Sequence, residues 1–179
     1  MKSIGIFYGS STGTTSDLAQ KIASALGVDS ANLIDAANCY GVTSTVVGEW
    51  AKPDAAAAAK YDVLLLGSST WGLGDLQDDW ESFLPKLKGE NLSGKKVGLF
   101  GCGDASSYSD TFCAALGTIK AELANTGCTF IGAYPAEGYS YDETTAEENG
   151  QLIGLCVDDA NESDQTEARM ERWIAAMGL

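Results

Sequence analysis

Apolar strand-like runs and amphipathic helical stretches alternate along the chain, which predicts an α/β fold: a doubly wound, five-stranded parallel sheet with helices on both faces. The runs indicate that the strands are parallel. Ile4-Gly5-Ile6-Phe7-Tyr8-Gly9 and Val63-Leu64-Leu65-Leu66-Gly67 are almost continuously apolar, as suits strands buried on both faces. Near the end, a polar and acidic stretch over residues 136–150 separates two apolar runs. It predicts that an insertion interrupts the fifth strand. With 179 residues, the chain has the size of one domain, residues 1–179, burying roughly 70% of its unfolded surface.

Residues 2–9 form the first strand. A helix over 15–26 follows, closed by Gly27, with Leu18, Ile22, Ala25 and Leu26 as its inward stripe. Residues 31–36 make a short second strand near the sheet edge. Residues 39–60 read less sharply. Val42-Thr43-Ser44-Thr45-Val46-Val47 suits a strand or a loosely packed turn, and Pro53-Asp54 opens an alanine run, 55–59, that favours a short helix. Residues 63–67 are the clearest central strand. A helix spans 78–87, and 96–101 form the fourth strand, entered through Ser93-Gly94. A helix over 110–125 ends before Gly127. The fifth strand begins over 129–134 and resumes over 152–157. Asp164 and Glu167 have the spacing of a capping box for a last helix that turns Met170, Trp173, Ile174 and Met177 inward.

Composition removes several functions. The net charge is −14 and the pI about 4.1, which excludes a nucleic-acid partner, because phosphate backbones need a basic face. It also argues against an anionic membrane surface. No apolar run approaches the roughly 20 residues that span a bilayer, and Met1-Lys2-Ser3 runs straight into the first strand, so a soluble cytoplasmic protein without a signal peptide is expected. Cys39, Cys102, Cys113, Cys128 and Cys156 form no C-x-x-C pair and read as reduced thiols rather than metal ligands. The chain has no His. That removes the usual general base near neutral pH and the Ser–His and Cys–His nucleophile schemes.

The chemistry collects in loops. Ser10-Ser11-Thr12-Gly13-Thr14-Thr15 joins the first strand to the first helix. A hydroxyl-rich turn feeding a helix N-terminus is a phosphate cradle, because the free N–H groups and the dipole there favour an anion. An ordinary helix cap is the competing reading. The Gly-x4-Gly-Lys pattern of triphosphate loops and the G-x-G-x-x-G pattern of dinucleotide folds are both missing. The loop therefore suits a lone phosphate held without a cationic side chain. After the third strand stand Ser69-Thr70-Trp71-Gly72-Leu73-Gly74, and after the fourth Cys102-Gly103-Asp104 and Tyr108. A doubly wound sheet brings all three loops to one edge. Trp71 and Tyr108 beside a phosphate cradle suggest a flat ring held between aromatics, hence riboflavin 5′-phosphate, FMN. Offset stacking contributes roughly 0.5–1.5 kcal/mol per ring pair beyond burial.

At these residues the chain resembles the flavodoxin family, of the long-chain type. Ser10 to Thr15 is similar to its phosphate loop, Thr70-Trp71-Gly72-Leu73-Gly74-Asp75-Leu76-Gln77 to its first aromatic loop, and Gly101-Cys102-Gly103-Asp104 through Tyr108 to its second. The interrupted fifth strand resembles the long-chain insertion, and the likeness covers almost the whole chain. Residues from Cys39 to Ala59 depart from it, being longer than the usual connection. The resemblance implies a flavodoxin-like fold and a low-potential one-electron carrier, not an enzyme, whose non-covalently bound FMN passes through a neutral semiquinone. It implies that a turned Gly72 carbonyl accepts from the reduced flavin N5–H, and that backbone N–H groups of Cys102 to Asp104 meet the pyrimidine end. The crowd of Asp75, Asp78, Asp79, Glu81 and Asp104 is expected to lower the second potential and to steer docking, though these acids also suit a helix N-terminus. The implied partners of a monomer are redox proteins with basic docking faces, such as flavodoxin/ferredoxin reductase or oxidoreductases.

Three rivals remain. An FMN-dependent NAD(P)H:quinone or flavin reductase would need an open flavin face. A phospho-acceptor signalling domain would need a phosphorylatable Asp after the third strand, where Ser68-Ser69-Thr70 stands instead. Passive flavin storage would show tight binding without a stable radical.

Overall fold

The computed structural model describes residues 2–36 and 55–179. In chain order its main elements are β1 (Ile4–Gly9), α1 (Thr14–Leu26), β2 (Leu33–Asp35), β3 (Val63–Trp71), β4 (Asp75–Leu76), α2 (Asp78–Lys88), β5 (Lys96–Cys102), α3 (Ala115–Leu123), β6 (Thr129–Ile131), β7 (Tyr134–Pro135), β8 (Glu147–Glu148), β9 (Gln151–Leu152), β10 (Leu155–Val157) and α4 (Thr166–Met177). The main sheet is ordered β10-β5-β3-β1-β2, and all of these neighbours pair in parallel. β6 pairs with Lys96, Val97 and Gly98 of β5, and β10 with Phe100, Gly101 and Cys102. Two short strands thus lie end to end in the fifth position, which is the predicted interruption. The segment between them forms its own antiparallel sheet, β7-β9-β8.

Right-handed crossovers place the helices. The chain moves one way from β1 to β2 and the other way from β3 through β5 to β6, so α1 lies on the face opposite α2 and α3. α4 shares a groove with α1. The apolar runs meet these layers directly. Phe7 stacks on Phe83 of α2 with centroids 5.8 Å apart, and the Trp80 ring meets Phe83 edge-on at 5.3 Å. On the other face Trp173 of α4 lies 6.3 Å from Phe100. Ile6, Leu64, Leu65, Leu66, Val97 and Leu99 have no exposed surface.

Several elements differ from the expectation. β1 starts at Ile4, and β2 is only Leu33–Asp35, because Ser30–Asn32 winds into a 3-10 turn capped by Asp29. β3 and β5 run on to Trp71 and Cys102. Ala19 and Ala23, rather than Ala25, complete the buried face of α1. The alanine run is a 3-10 helix, Ala55–Lys60, while Pro53-Asp54, Cys39 and the 42–47 stretch lie outside the described residues. Helix α3 begins five residues later than expected from 110–125, since Cys113 takes φ 53°, which an α-helix cannot contain. Tyr134 and Leu152 belong to the small sheet, not to the fifth strand. The capping box is not formed. The 3-10 turn Ser163–Gln165 runs straight into α4 with no side-chain cap, and Asp164 accepts from Gln165 Nε2 instead.

Candidate functional site

The strand order reverses between β1 and β3, and a cleft of about 340 Å³ opens at the carboxyl ends of the strands there. Loop 10–15 forms its floor. Gly13 is the N-cap of α1 at φ 98°, and no side chain caps the helix. The first intrahelical bond runs from Asp17 N–H to the Gly13 carbonyl at 2.9 Å. This excludes the ordinary-cap reading of the loop, because none of its hydroxyls caps the helix. Ser10 Oγ accepts from Gly13 N–H at 3.1 Å, and Ser11 Oγ from Gln77 Nε2 at 3.2 Å. Thr15 Oγ1 is buried with no hydrogen-bond partner among the described residues. An open helix N-terminus ringed by hydroxyls is fitted to a phosphate.

Trp71 ends β3 and turns back into β4 through a hairpin closed by Gly74 N–H to the Trp71 carbonyl at 3.0 Å. Gly72 has φ 51° and Leu73 a negative φ, the signs of a type II′ turn. Trp71 Nε1 donates to Ser69 Oγ at 2.9 Å, which fixes the indole over the cleft mouth. Tyr108 stands on the 104–112 wall. Trp71 and Tyr108, which both line the cleft, are 43% and 50% exposed, unusual for large rings, and each can cover a planar group. Gln77, not an acid, caps α2, with its Oε1 accepting from Asp79 N–H at 3.0 Å, while Asp78, Asp79 and Glu81 occupy the first turn.

The inserted segment braces the wall. Ser109 O accepts from Asp142 and Glu143 N–H at 2.8 and 3.0 Å. The Phe112 carbonyl accepts from Thr144 Oγ1, and the Ala114 carbonyl from Thr145 Oγ1 at 3.0 Å. Phe112 stacks on Tyr141 at 5.4 Å.

Of the expected site residues, Thr12, Thr14, Ser69, Thr70, Trp71, Gly72, Cys102, Gly103, Asp104 and Tyr108 line the cleft together. Ser10, Ser11, Gly13 and Thr15 lie beneath it as loop supports. Leu73 projects outward, 85% exposed, and Gly74 faces Ala114 and Thr111. The Gly103 N–H is already donated to the Val157 carbonyl at 2.9 Å, so it is not a free donor for a ring edge. Thr111, Phe112, Asp159 and Ala160 also line the cleft and were not expected. The last two follow β10, so applying the carboxyl-end rule to the fifth strand as well as the others would have found them.

Charge in the site is local. Ser107 N–H, then Asn161 Nδ2, hold the Asp104 carboxyl below its usual range. Burial pushes the Cys102 thiol up to about 12, with Cys113 adding to the shift and the nearby Thr15 hydroxyl opposing it. Among the described residues no group of His, Cys, Asp and Glu is arranged to hold a metal.

The flavodoxin family model matches residues 6–173. The chain belongs to the flavodoxin family. It is 40% identical to flavodoxin 1 of Azotobacter vinelandii over 179 residues, covering 99% of this chain and 96% of that one. It is 36% identical to the flavodoxin of Synechococcus elongatus over 177 residues, covering 99% and 96%. A solved flavodoxin of Fusobacterium nucleatum, bound to flavin mononucleotide, superposes with a TM-score of 0.81 at 29% identity, covering 98% of this chain and 96% of that one. Flavodoxins are themselves a standing example of ligand binding at the switch point of this strand order.

Proposed function

We propose that this flavodoxin is a low-potential one-electron carrier that holds FMN non-covalently in the cleft and passes electrons between redox proteins. The observation that carries the reading is the uncapped N-terminus of α1 under loop 10–15, opening into a cleft flanked by two half-exposed aromatics. When bound, FMN supplies the electron storage that no side chain of this chain offers. The residues supply the rest. The hydroxyls of Thr12 and Thr14, with the first-turn N–H groups of α1, hold the phosphate without a cation. Trp71 and Tyr108 would cover the ring and keep bulk water from it. Gly72, the first corner of the hairpin, offers a carbonyl that can accept a hydrogen bond from a ring N–H. Asp75 and Asp104 place negative charge near the ring and oppose a second electron. Covered by these two aromatics, the ring would offer no open face to a nicotinamide, and the relatives do not favour the reductase alternative.

The partners fitted to this face are redox proteins with basic docking surfaces, met by a monomer. Anaerobic stepwise reduction of the FMN-loaded protein, followed by visible absorption, tests the reading. Long-wavelength absorption that rises and then bleaches marks two separate one-electron steps. Direct bleaching in one two-electron step would overturn it.

A further inference from the structure

We propose that Asn161 is a positioning residue, clasping together the two loops that frame one wall of the cleft and thereby setting how tightly FMN is held. The proposal rests on the cofactor reading above. Asn161 does not itself line the cleft. Its side-chain amide lies between two carboxylates carried by different loops. Nδ2 donates to Asp104 Oδ1 at 2.9 Å and to Asp158 Oδ1 and Oδ2 at 2.9 and 3.0 Å. Asp104 follows β5 and Asp158 follows β10. An amide nitrogen carries two hydrogens, one for each loop.

The rest of the cluster is organised around that amide. Asp158, 1% exposed, also accepts from Asn161 N–H at 3.1 Å and from Ala105 N–H at 3.0 Å. Asp104 Oδ1 accepts from Ser106 and Ser107 N–H at 3.0 and 2.9 Å. What the clasp fixes is cleft lining: Asp104 on one loop, Asp159 and Ala160 on the other. Without the amide, two carboxylates face each other across the space it occupied, each short of a donor. The neighbouring charges offer no substitute. Asp159 accepts from Thr166 Oγ1 at 3.2 Å, and Glu162 is engaged by Arg169 of α4 at 2.6 Å. Lys21 of α1 lines the adjoining groove beside Asp159.

Asn161→Asp tests the clasp, because it keeps the size and replaces the donor by a third carboxylate. FMN affinity is read by flavin fluorescence quenching against wild type at each pH. Amide hydrogen exchange of Ala105, Ser106 and Ser107 is read in the apoprotein. At pH 7.5 and low salt, Asn161→Asp weakens FMN binding by about tenfold or more, the size of one lost charge-assisted bond, and speeds exchange at the three amides. Both effects shrink toward pH 5, where the third carboxyl regains a proton and can donate again. Asn161→Ala, which adds no charge, weakens binding at every pH without that recovery. Wild-type affinity in either variant, or a loss in Asn161→Asp that ignores pH, overturns the proposal. If the wild-type protein binds no FMN, the cofactor reading fails, while the exchange readout still decides whether the clasp exists.

Discussion

Single residues carry the most direct tests. Gly72 sits at φ 51°, and a Cβ there would stand 2.8 Å from Asp75 Oδ2. Gly72→Val should therefore strain the hairpin by about 1–2 kcal/mol. If the Gly72 carbonyl bonds the reduced ring, the change should also lower the first one-electron potential by roughly 40 mV, the equivalent of one net hydrogen bond. Potentiometry of the loaded protein reads this, and an unchanged potential removes the carbonyl from the mechanism. Cys102 makes a second test. Burial raises the thiol to about 12, burial likewise raises Cys113, and burial raises Tyr134, Tyr139 and Tyr141 in the same direction. An acid whose folded-state pKa lies above its unfolded value stabilises the fold fully below the unfolded value, and that stability is lost as pH climbs through the folded one. Urea unfolding of the apoprotein should thus weaken progressively above pH 9. A profile flat to pH 11 would show that these groups are not buried in solution.

At the scale of elements, Arg169 is the pin between α4 and the inserted segment. It is 3% exposed, donates through Nη2 to Glu162 at 2.6 Å and to the Gly138 carbonyl at 3.0 Å, and stacks 3.9 Å from the Tyr139 ring centroid. Arg169→Leu leaves Glu162 and that carbonyl without their donor. It should cost about 2–3 kcal/mol, below the range for a fully buried pair because Glu162 is partly exposed. Arg169→Lys should recover little, since an ammonium lacks the planar fork that stacks and bonds at once. Urea midpoints of the two variants decide it. The same region shows what the sequence discloses and what it hides. β1, β3, β5, α2 and α4 were legible because long apolar periodicity is a local signal. The hairpin joining β8 to β9 was not read from the sequence, although it carries a local signal. Its corner is Asn149-Gly150, both at positive φ, the strongest short signal for such a turn, and the acidity of its surroundings hid it. The late start of α3 was not legible. It depends on Cys113 held at φ 53° by packing, and on Ser109, Phe112 and Ala114 carbonyls satisfied from thirty residues away. The site divides in the same way. Its loop motifs were visible, whereas Asp159 and Ala160 reach the cleft, and Asn161 its supporting wall, only because β10 closes the sheet beside β5.

Over the whole molecule, one quantity is expected to act in opposite directions. The net charge is −14, and Asp75, Asp78, Asp79, Asp104 and Asp159 all sit at the carboxyl edge that holds the cleft. No described helix is long and apolar enough to cross a membrane. A charge of this size repels itself in the compact state, so salt should raise the stability of the apoprotein by screening. The same screening should slow electron transfer to a partner with a basic docking face, because steering is lost once the Debye length falls below about 10 Å. Raising ionic strength from about 20 to 500 mM should therefore lift the urea midpoint and lower the second-order transfer rate in a single buffer series. With no histidine in the chain, that series can be run at any pH from 6 to 8 without a titrating imidazole moving either curve. A rate that holds constant while the midpoint rises would mean that the acids at the cleft edge serve the fold's solubility and not its docking. A midpoint that falls as the rate falls would mean that paired charges, such as Lys88 with Glu122 at 2.7 Å and Arg169 with Glu162, outweigh the net repulsion.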